Sequence, residues 1–335
     1  MRKVTIYSIA QELGVSASTV SRAFTRPELV KASVREQVLR KADELGYAPN
    51  RAARGLATGR SGLIGLLIPD ITNPFFPPLV RAIQRAANNG DAEVMLVDAS
   101  RGLGKEENLV RKLRPYVDGL IVASPRLPDE ALRSAVEGIP AVFINRQLEG
   151  FPSVLCDNSQ PLQAAAEHLR SLGHERYALM KGPRNSWAAG QRASAVRSWA
   201  RAQGVSLSEL GPFEAQFEDG RTAAAHVLRS GATAVFAFDD LMAAGVIAGL
   251  SELGQRVPGD RSIVGCDDVL IARTMTPSLS TVSAPMQALG DEAVHLLELL
   301  LTDQPVSSVV LEGELMLRAT TAGLNGTLEL KGESS

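Results

Sequence analysis

From Gly62 onward, seven short apolar runs, "LIGLLIP", "AEVMLVD", "GLIVAS", "AVFIN", "YALMKG", "AVFAF" and "SIVGCD", recur between longer stretches of helical character. Strands alternating with helices imply parallel sheets covered on both faces, whose strands are apolar almost throughout. The runs are too many for one small sheet, and they divide near Asp157 to Pro161 into two sets. The expected fold is therefore α/β, with two doubly wound lobes. Ligands in such folds bind beyond the carboxyl ends of the strands, so a cleft between the lobes is the expected binding place.

The residues that follow the runs are polar or aromatic. "LLIP" is followed by "DITNPFF", with Phe75 and Phe76; "AVFI" by Asn145; "AVFAF" by Asp239 and Asp240; and "SIVGC" by Asp267 and Asp268. Carboxylates and amides can share hydrogen bonds with neighbouring hydroxyls, and aromatic faces pack on the C–H patches of sugars. A carbohydrate-like ligand fits that set. An aspartate at a strand end can equally be the N-cap of the next helix, a role open to Asp240 and Asp268. Phe75 and Phe76 can be either cleft or core residues.

The first sixty residues differ in charge. They hold 11 Lys/Arg against 5 Asp/Glu, whereas the whole chain has a net charge of -2. In "VTIYSIAQELGVSASTVSRAF", Ile6, Ile9, Ala10 and Leu13 have helical spacing, Gly14 interrupts it, and Val20, Ala23 and Phe24 resume it. Two short helices joined by one turn are expected. Ser16 stands at the N-cap position of the second, which begins near Ala17. With Val20, Ala23 and Phe24 inward, Ala17, Ser18, Ser21 and Arg22 face outward. In "KASVREQVLRKADELGY", Val34, Val38, Leu39, Ala42 and Leu45 form an apolar stripe that can close a three-helix core, with Gly46 as its end. Small residues on an exposed helix permit close approach to a surface. Hydroxyls and N-terminal N–H groups suit phosphate oxygens, and Arg22 could bond guanine O6 and N7 together.

"YAPNRAARGLATGRSG" follows, with Arg51, Arg54 and Arg60. A helix from Asn50 to Leu56 would be too short to persist alone in water, so it would fold only against a partner. Leu56 has no evident core neighbour; it is either an incidental linker residue or a wedge for a minor groove.

These segments, with "LGYAPNRAARGLATGRSGLIGLLIPDITNPFF", "AVFAFDDLMAAG" and "RSIVGCDD", resemble the lactose-repressor/galactose-repressor (LacI/GalR) family of bacterial transcription regulators along nearly the whole chain. The resemblance implies a helix-turn-helix three-helix DNA-binding domain over 1–48 and a hinge helix or linker over 49–61. It implies a two-lobed periplasmic-binding-protein-like domain over 62–335 that binds an effector and dimerises. It gives Ala17, Ser18 and Arg22 to bases, and Ser16, Thr19, Ser21, Thr5 and Tyr7 to the DNA backbone. Asn50 and Arg51 fall in the hinge, with Ala53 and Leu56 in the minor groove. Phe75, Asn145, Arg192, Asp239 and Asp267 fall to the effector, and Phe76 joins them from its place beside Phe75; Trp187 is either at the cleft mouth or exposed beside a loop. It further implies chain crossings between the lobes near Ala284 to Gly290 and near Arg318. The implied protein is a repressor that binds pseudo-palindromic double-stranded operator DNA as a homodimer under control of a small-molecule effector, likened to a sugar. Whether that effector induces or co-represses stays open.

Other classes fit poorly. "GLATGRS" is one residue short of a phosphate loop and has Arg60 where lysine belongs. "RGLGKEEN" lacks the third glycine of a dinucleotide fingerprint. The four histidines have no metal spacing, and no nucleophile–base arrangement is visible. No cofactor, metal or catalysis is expected. Two cysteines, Cys156 and Cys266, no secretory signal and no long uncharged apolar stretch fit the cytoplasm and no membrane partner.

Overall fold

A computed structural model describes residues 4–25, 27–47, 60–99 and 105–323. The chain divides into two compact units, Met1–Gly62 and Leu63–Ser335. The hinge positions Asn50, Arg51, Ala53 and Leu56 lie outside the described residues.

In the first unit, α1 (Ile6–Leu13), α2 (Ala17–Thr25) and α3 (Ala32–Glu44) enclose Ile9, Ala10, Val20, Ala23, Val38 and Ala42. Gly14 adopts φ 67°, a left-handed conformation that costs glycine little, and the N–H groups of Gly14 and Val15 both turn back to Ala10 O. That closes α1, and Gly14, Val15 and Ser16 redirect the chain into α2. Phe24 and Tyr47 pack with ring centroids 5.9 Å apart. Leu39 departs from the expected stripe: it is 39% exposed, because the face of α3 that meets the core is carried by Val38 and Ala42, with Val34 and Leu45 beside them.

The second unit contains two six-stranded sheets. In the first, β1 (Leu63–Ile68), β2 (Glu93–Asp98), β3 (Gly119–Ala123), β4 (Ala141–Ile144) and β5 (Ser153–Asp157) run parallel in the order 2-1-3-4-5. In the second, β6 (Arg176–Met180), β7 (Ser206–Leu210), β8 (Ala234–Phe236), β9 (Ser262–Asp267) and β10 (Ser280–Ser283) repeat that arrangement as 7-6-8-9-10. Alternate residues serve opposite faces. Ile64, Leu66 and Ile68 enter one apolar layer, and Leu67 the other. Tyr177 and Leu179 likewise oppose Ala178 and Met180.

The two lobes exchange chain three times. Beyond β5 the chain enters the second lobe with α7 (Ser159–Ser171), after α4 (Phe76–Asn89), α5 (Lys105–Leu113) and α6 (Asp129–Val136) have covered the first. The second lobe is covered by α7, α8 (Trp187–Gln203), α9 (Phe217–Ser230), α10 (Asp240–Glu252) and the short α11 (Leu270–Thr274). After β10, α12 (Met286–Leu301) returns to pack on α4 in the first lobe. β11 (Val309–Glu312) then joins β5, and β12 (Leu315–Met316) pairs antiparallel with β10. The last crossing is therefore at 313–314 and not near Arg318, which already belongs to the second lobe, bonding Leu279 O and Asp268.

Close helix packing sets one wall of the cleft. A Cβ on Gly245 would collide with the carbonyl of Phe217, and one on Gly220 with the carbonyl of Met242. Only glycines allow α9 and α10 to approach so far, which brings the loop before α9 beside the N-terminus of α10.

Candidate functional site

In the first unit, side chains predicted for DNA cap both helices of the pair. Thr5 caps α1, accepting from Ser8 N–H at 3.4 Å while Ser8 Oγ accepts from Thr5 N–H at 2.8 Å, a reciprocal pair. Ser16 caps α2 in the expected way, accepting from Thr19 N–H at 3.1 Å, and its Oγ also lies 2.8 Å from the hydroxyls of Ser18 and Thr19. Thr5, Tyr7, Ser16, Ser18 and Arg22 are exposed, Tyr7 at 71%, while Ala17, Thr19 and Ser21 are half-buried. The sequence of α2 holds no acidic residue. Its capped N-terminus thus presents hydroxyls and partial positive charge, an arrangement suited to phosphate oxygens.

In the second unit the six predicted effector residues, Phe75, Phe76, Asn145, Arg192, Asp239 and Asp267, all line one cleft. Each stands at or just beyond a strand's carboxyl end or on the first turns of the following helix. Phe75 and Phe76 stack edge to face with centroids 5.1 Å apart; both are buried in the first lobe's core and also border the cleft. Asn145 and Asp267 have φ of 51° and 108°, as uncommon for side-chain-bearing residues as the 48° of Ser124, which also lines the cleft. Such conformations concentrate where a side chain must be aimed at a site.

Arg192 anchors the second lobe's wall. Its guanidinium donates to Asp267 Oδ1 at 2.5 Å and to Phe238 O at 2.6 Å, with Cζ 4.9 Å from the Phe238 ring centroid. Burial raises the Asp267 carboxyl above its usual range, against the opposing pull of Arg192. Asp239 Oδ1 accepts from Met242 N–H at 2.8 Å, and its Oδ2 accepts from Asn73 Nδ2 at 3.0 Å across the cleft. A second bridge between lobes joins Arg126 Nη1 to Glu214 Oε2 at 2.7 Å.

The aspartate pairs divide their work differently from the alternatives open in the sequence. Asp239, not Asp240, caps α10. Asp240 is wholly buried and bridges elements by accepting from Val269 N–H at 2.9 Å and Thr281 Oγ1 at 2.5 Å. Asp268 caps nothing; it binds Arg273 and Arg318 at 2.7 and 2.6 Å. Trp187, the first residue of α8, is not among the residues lining the cleft, although its neighbours Ser186 and Ala188 are. Asn73, Arg126 and Glu214 are cleft residues that the sequence reading missed. Asn73 sat within the quoted "DITNPFF", and Arg126 two residues beyond "GLIVAS". Glu214 follows β7, whose "SLSEL" carries no apolar run to mark it.

Asp239 is pushed up to about 6, first by burial and then by the charge of Asp267. In the unfolded chain the group titrates near about 3.9, so the native state holds the proton more tightly. Its contribution to stability should therefore grow as pH falls through about 6 toward about 4. Between about pH 7 and about pH 5 the wild-type Tm should rise relative to that of Asp239→Asn; parallel profiles would contradict this.

Among the described residues no helix is long and apolar enough to cross a membrane, and no group of three or more His, Cys, Asp or Glu could hold a metal ion. The fold and site define a chain that carries a helix-turn-helix unit and a two-lobed cleft domain. Residues 5–50 match the bacterial regulatory proteins, lacI family, and residues 166–321 match the periplasmic binding protein-like domain. The chain is 32% identical over 325 residues to the ribose operon repressor of Halalkalibacterium halodurans, covering 95% of this chain and 97% of the relative. It resembles the structure of the lac repressor dimer bound to operator and the anti-inducer ONPF, with TM-score 0.84 and 30% identity, covering 96% of this chain and 100% of that one. It also resembles a LacI family transcriptional regulator from Enterococcus faecium with bound ribose, with TM-score 0.70 and 30% identity, covering 78% of this chain and 98% of the other. The chain belongs to the lacI family of bacterial regulatory proteins.

Proposed function

We propose that this protein is a transcriptional repressor whose affinity for operator DNA is set by a sugar or sugar derivative held between the two lobes. The observation that carries the reading is the cleft itself. Asn145 from one lobe and Arg192, Asp239 and Asp267 from the other converge on one space beside Phe75 and Phe76. Side-chain amides and carboxylates are suited to ligand hydroxyls, and the two phenylalanines offer an apolar surface to a sugar ring. The relatives named for ribose and solved with ribose support the same ligand class.

On the DNA side, Ala17, Ser18 and Arg22 read base edges, while Thr5, Tyr7, Ser16, Thr19 and Ser21 hold the backbone. Asn50, Arg51, Ala53 and Leu56 complete the contact from the hinge. A single three-helix unit buries little surface, so two copies related by a two-fold axis bind a pseudo-palindrome. The protein acts in the cytoplasm by binding alone, with no reaction catalysed.

A ligand that contacts both lobes favours whichever lobe arrangement it fits, and it changes DNA affinity only through a difference in its affinity for the two arrangements. The ligand reading is tested by a thermal-shift screen of the purified protein against ribose, galactose, cellobiose, polyols and nucleobases. Binding to the folded state raises Tm. A sugar should give the largest rise, reduced by Asn145→Ala; a rise with nucleobases alone would overturn the carbohydrate assignment.

A further inference from the structure

The described residues lining the cleft include four carboxylates, Asp70, Glu214, Asp239 and Asp267, and only two cations, Arg126 and Arg192. Both cations are already engaged. Arg192 is paired with Asp267, both groups being nearly buried at 10% and 6% side-chain exposure. Arg126, buried except for 16% of its side chain, is paired across the cleft with Glu214. Arg126 is held from behind as well: its backbone N–H donates to Glu106 Oε2 at 3.1 Å, fixing the loop from which its side chain extends. The backbone of Glu214, whose side chain is half-exposed, is held by its own N–H donating to Asp219 Oδ2 at 2.8 Å.

We propose that Glu214 is a specificity-determining residue. By holding Arg126 in an ion pair across the cleft, it commits the guanidinium that an anionic ligand would need, and so restricts the cleft to uncharged polyhydroxy compounds. A phosphorylated or carboxylated sugar would have to displace one of the two carboxylates from its arginine and lie near Asp239. Desolvating that added negative charge without a free cation is unfavourable. An uncharged sugar meets no such barrier, since its hydroxyls can donate to the carboxylates and accept from the guanidinium edges without breaking either pair. The inference rests on the reading of the cleft as the effector site, and it adds which members of the carbohydrate class are admitted.

The test compares wild type, Glu214→Gln and the double variant Glu214→Gln/Arg126→Gln. The probes are ribose, glucose and galactose, with ribose 5-phosphate, glucose 6-phosphate and gluconate as anions. Binding is measured by calorimetric titration and circular dichroism verifies the fold. Wild type should bind no anion more tightly than the uncharged parent sugar. Glu214→Gln keeps the side chain's shape but releases the cation, and should gain on the order of tenfold in affinity for at least one anion. The double variant should lose that gain. An anion bound by wild type more tightly than its parent, or no gain for any anion in Glu214→Gln, would overturn the proposal. Failure of the carbohydrate reading itself would look different: no uncharged sugar would bind wild type, whatever the anions did in the variants.

Discussion

Replacing Arg192 with methionine is expected to destabilise the second unit by about 3–5 kcal/mol, because Asp267 would be left buried without its cation. Methionine keeps most of the arginine's volume along the stem but stops short of the guanidinium position. What is removed is the 2.5 Å pair to Asp267 and the 2.6 Å bond to Phe238 O. Asp239 stands on the same wall, and Asp267 acts on it electrostatically, so the remaining carboxylates would also repel one another more strongly. Adding Asp267→Asn to Arg192→Met removes the stranded charge and should restore much of the stability. Sugar binding should stay weak in both variants, which separates the site's role from its contribution to the fold. Denaturant unfolding checks the first claim and calorimetric titration the second. A loss below about 1 kcal/mol for the single variant would mean that Asp267 escapes burial or takes up a proton instead.

Arg22→Ala should behave in the opposite way, leaving stability almost unchanged and altering DNA recognition. Arg22 is exposed on α2, and exposed substitutions away from caps and buried pairs usually change stability by less than about 0.5 kcal/mol. A guanidinium bonded to guanine O6 and N7 contributes about 1–3 kcal/mol of discrimination against the wrong base. Competition binding with an operator selected from random duplexes, and with the same site substituted at each guanine, measures the difference. Selectivity should collapse at one guanine per half-site while affinity for random DNA is largely kept. Equal weakening on selected and random DNA would reassign Arg22 to the phosphate backbone.

Much of this fold was legible because burial on both sheet faces leaves a continuous apolar signature. All seven apolar runs hold strands, from "LIGLLIP" to "SIVGCD". The other strands carry a shorter or broken signature. β5, "SVLCD", is buried but has only three consecutive apolar residues, and β7, β11 and β12 lie at sheet edges, β7 carrying serine and glutamate. β10, "STVS", is buried yet polar. Its hydroxyls are satisfied by partners distant in sequence: Thr281 Oγ1 donates to Asp240, and Ser280 Oγ accepts from Arg318 N–H. No local pattern announces such partners. The same limit governed the cleft. Residues directly after a recognisable strand, Asn145, Asp239 and Asp267, could be found from the strand, and Arg192 came from the resemblance. Glu214 could not be found, because it follows an edge strand and acquires its meaning only from Arg126 on the other lobe. Cap assignment needed geometry too, since only φ and ψ distinguish Asp239 before α10 from Asp240 within it.

A cleft that controls repression must be thermodynamically coupled to the DNA-binding unit. The most direct test of that coupling is the anisotropy of a labelled duplex carrying the selected operator, titrated with protein alone and with protein saturated by the sugar that most raises Tm. Kd should change by a factor of about 5–150, and the sugar's own affinity should change by the same factor when DNA is bound. An operator Kd that is the same with and without saturating sugar would contradict it.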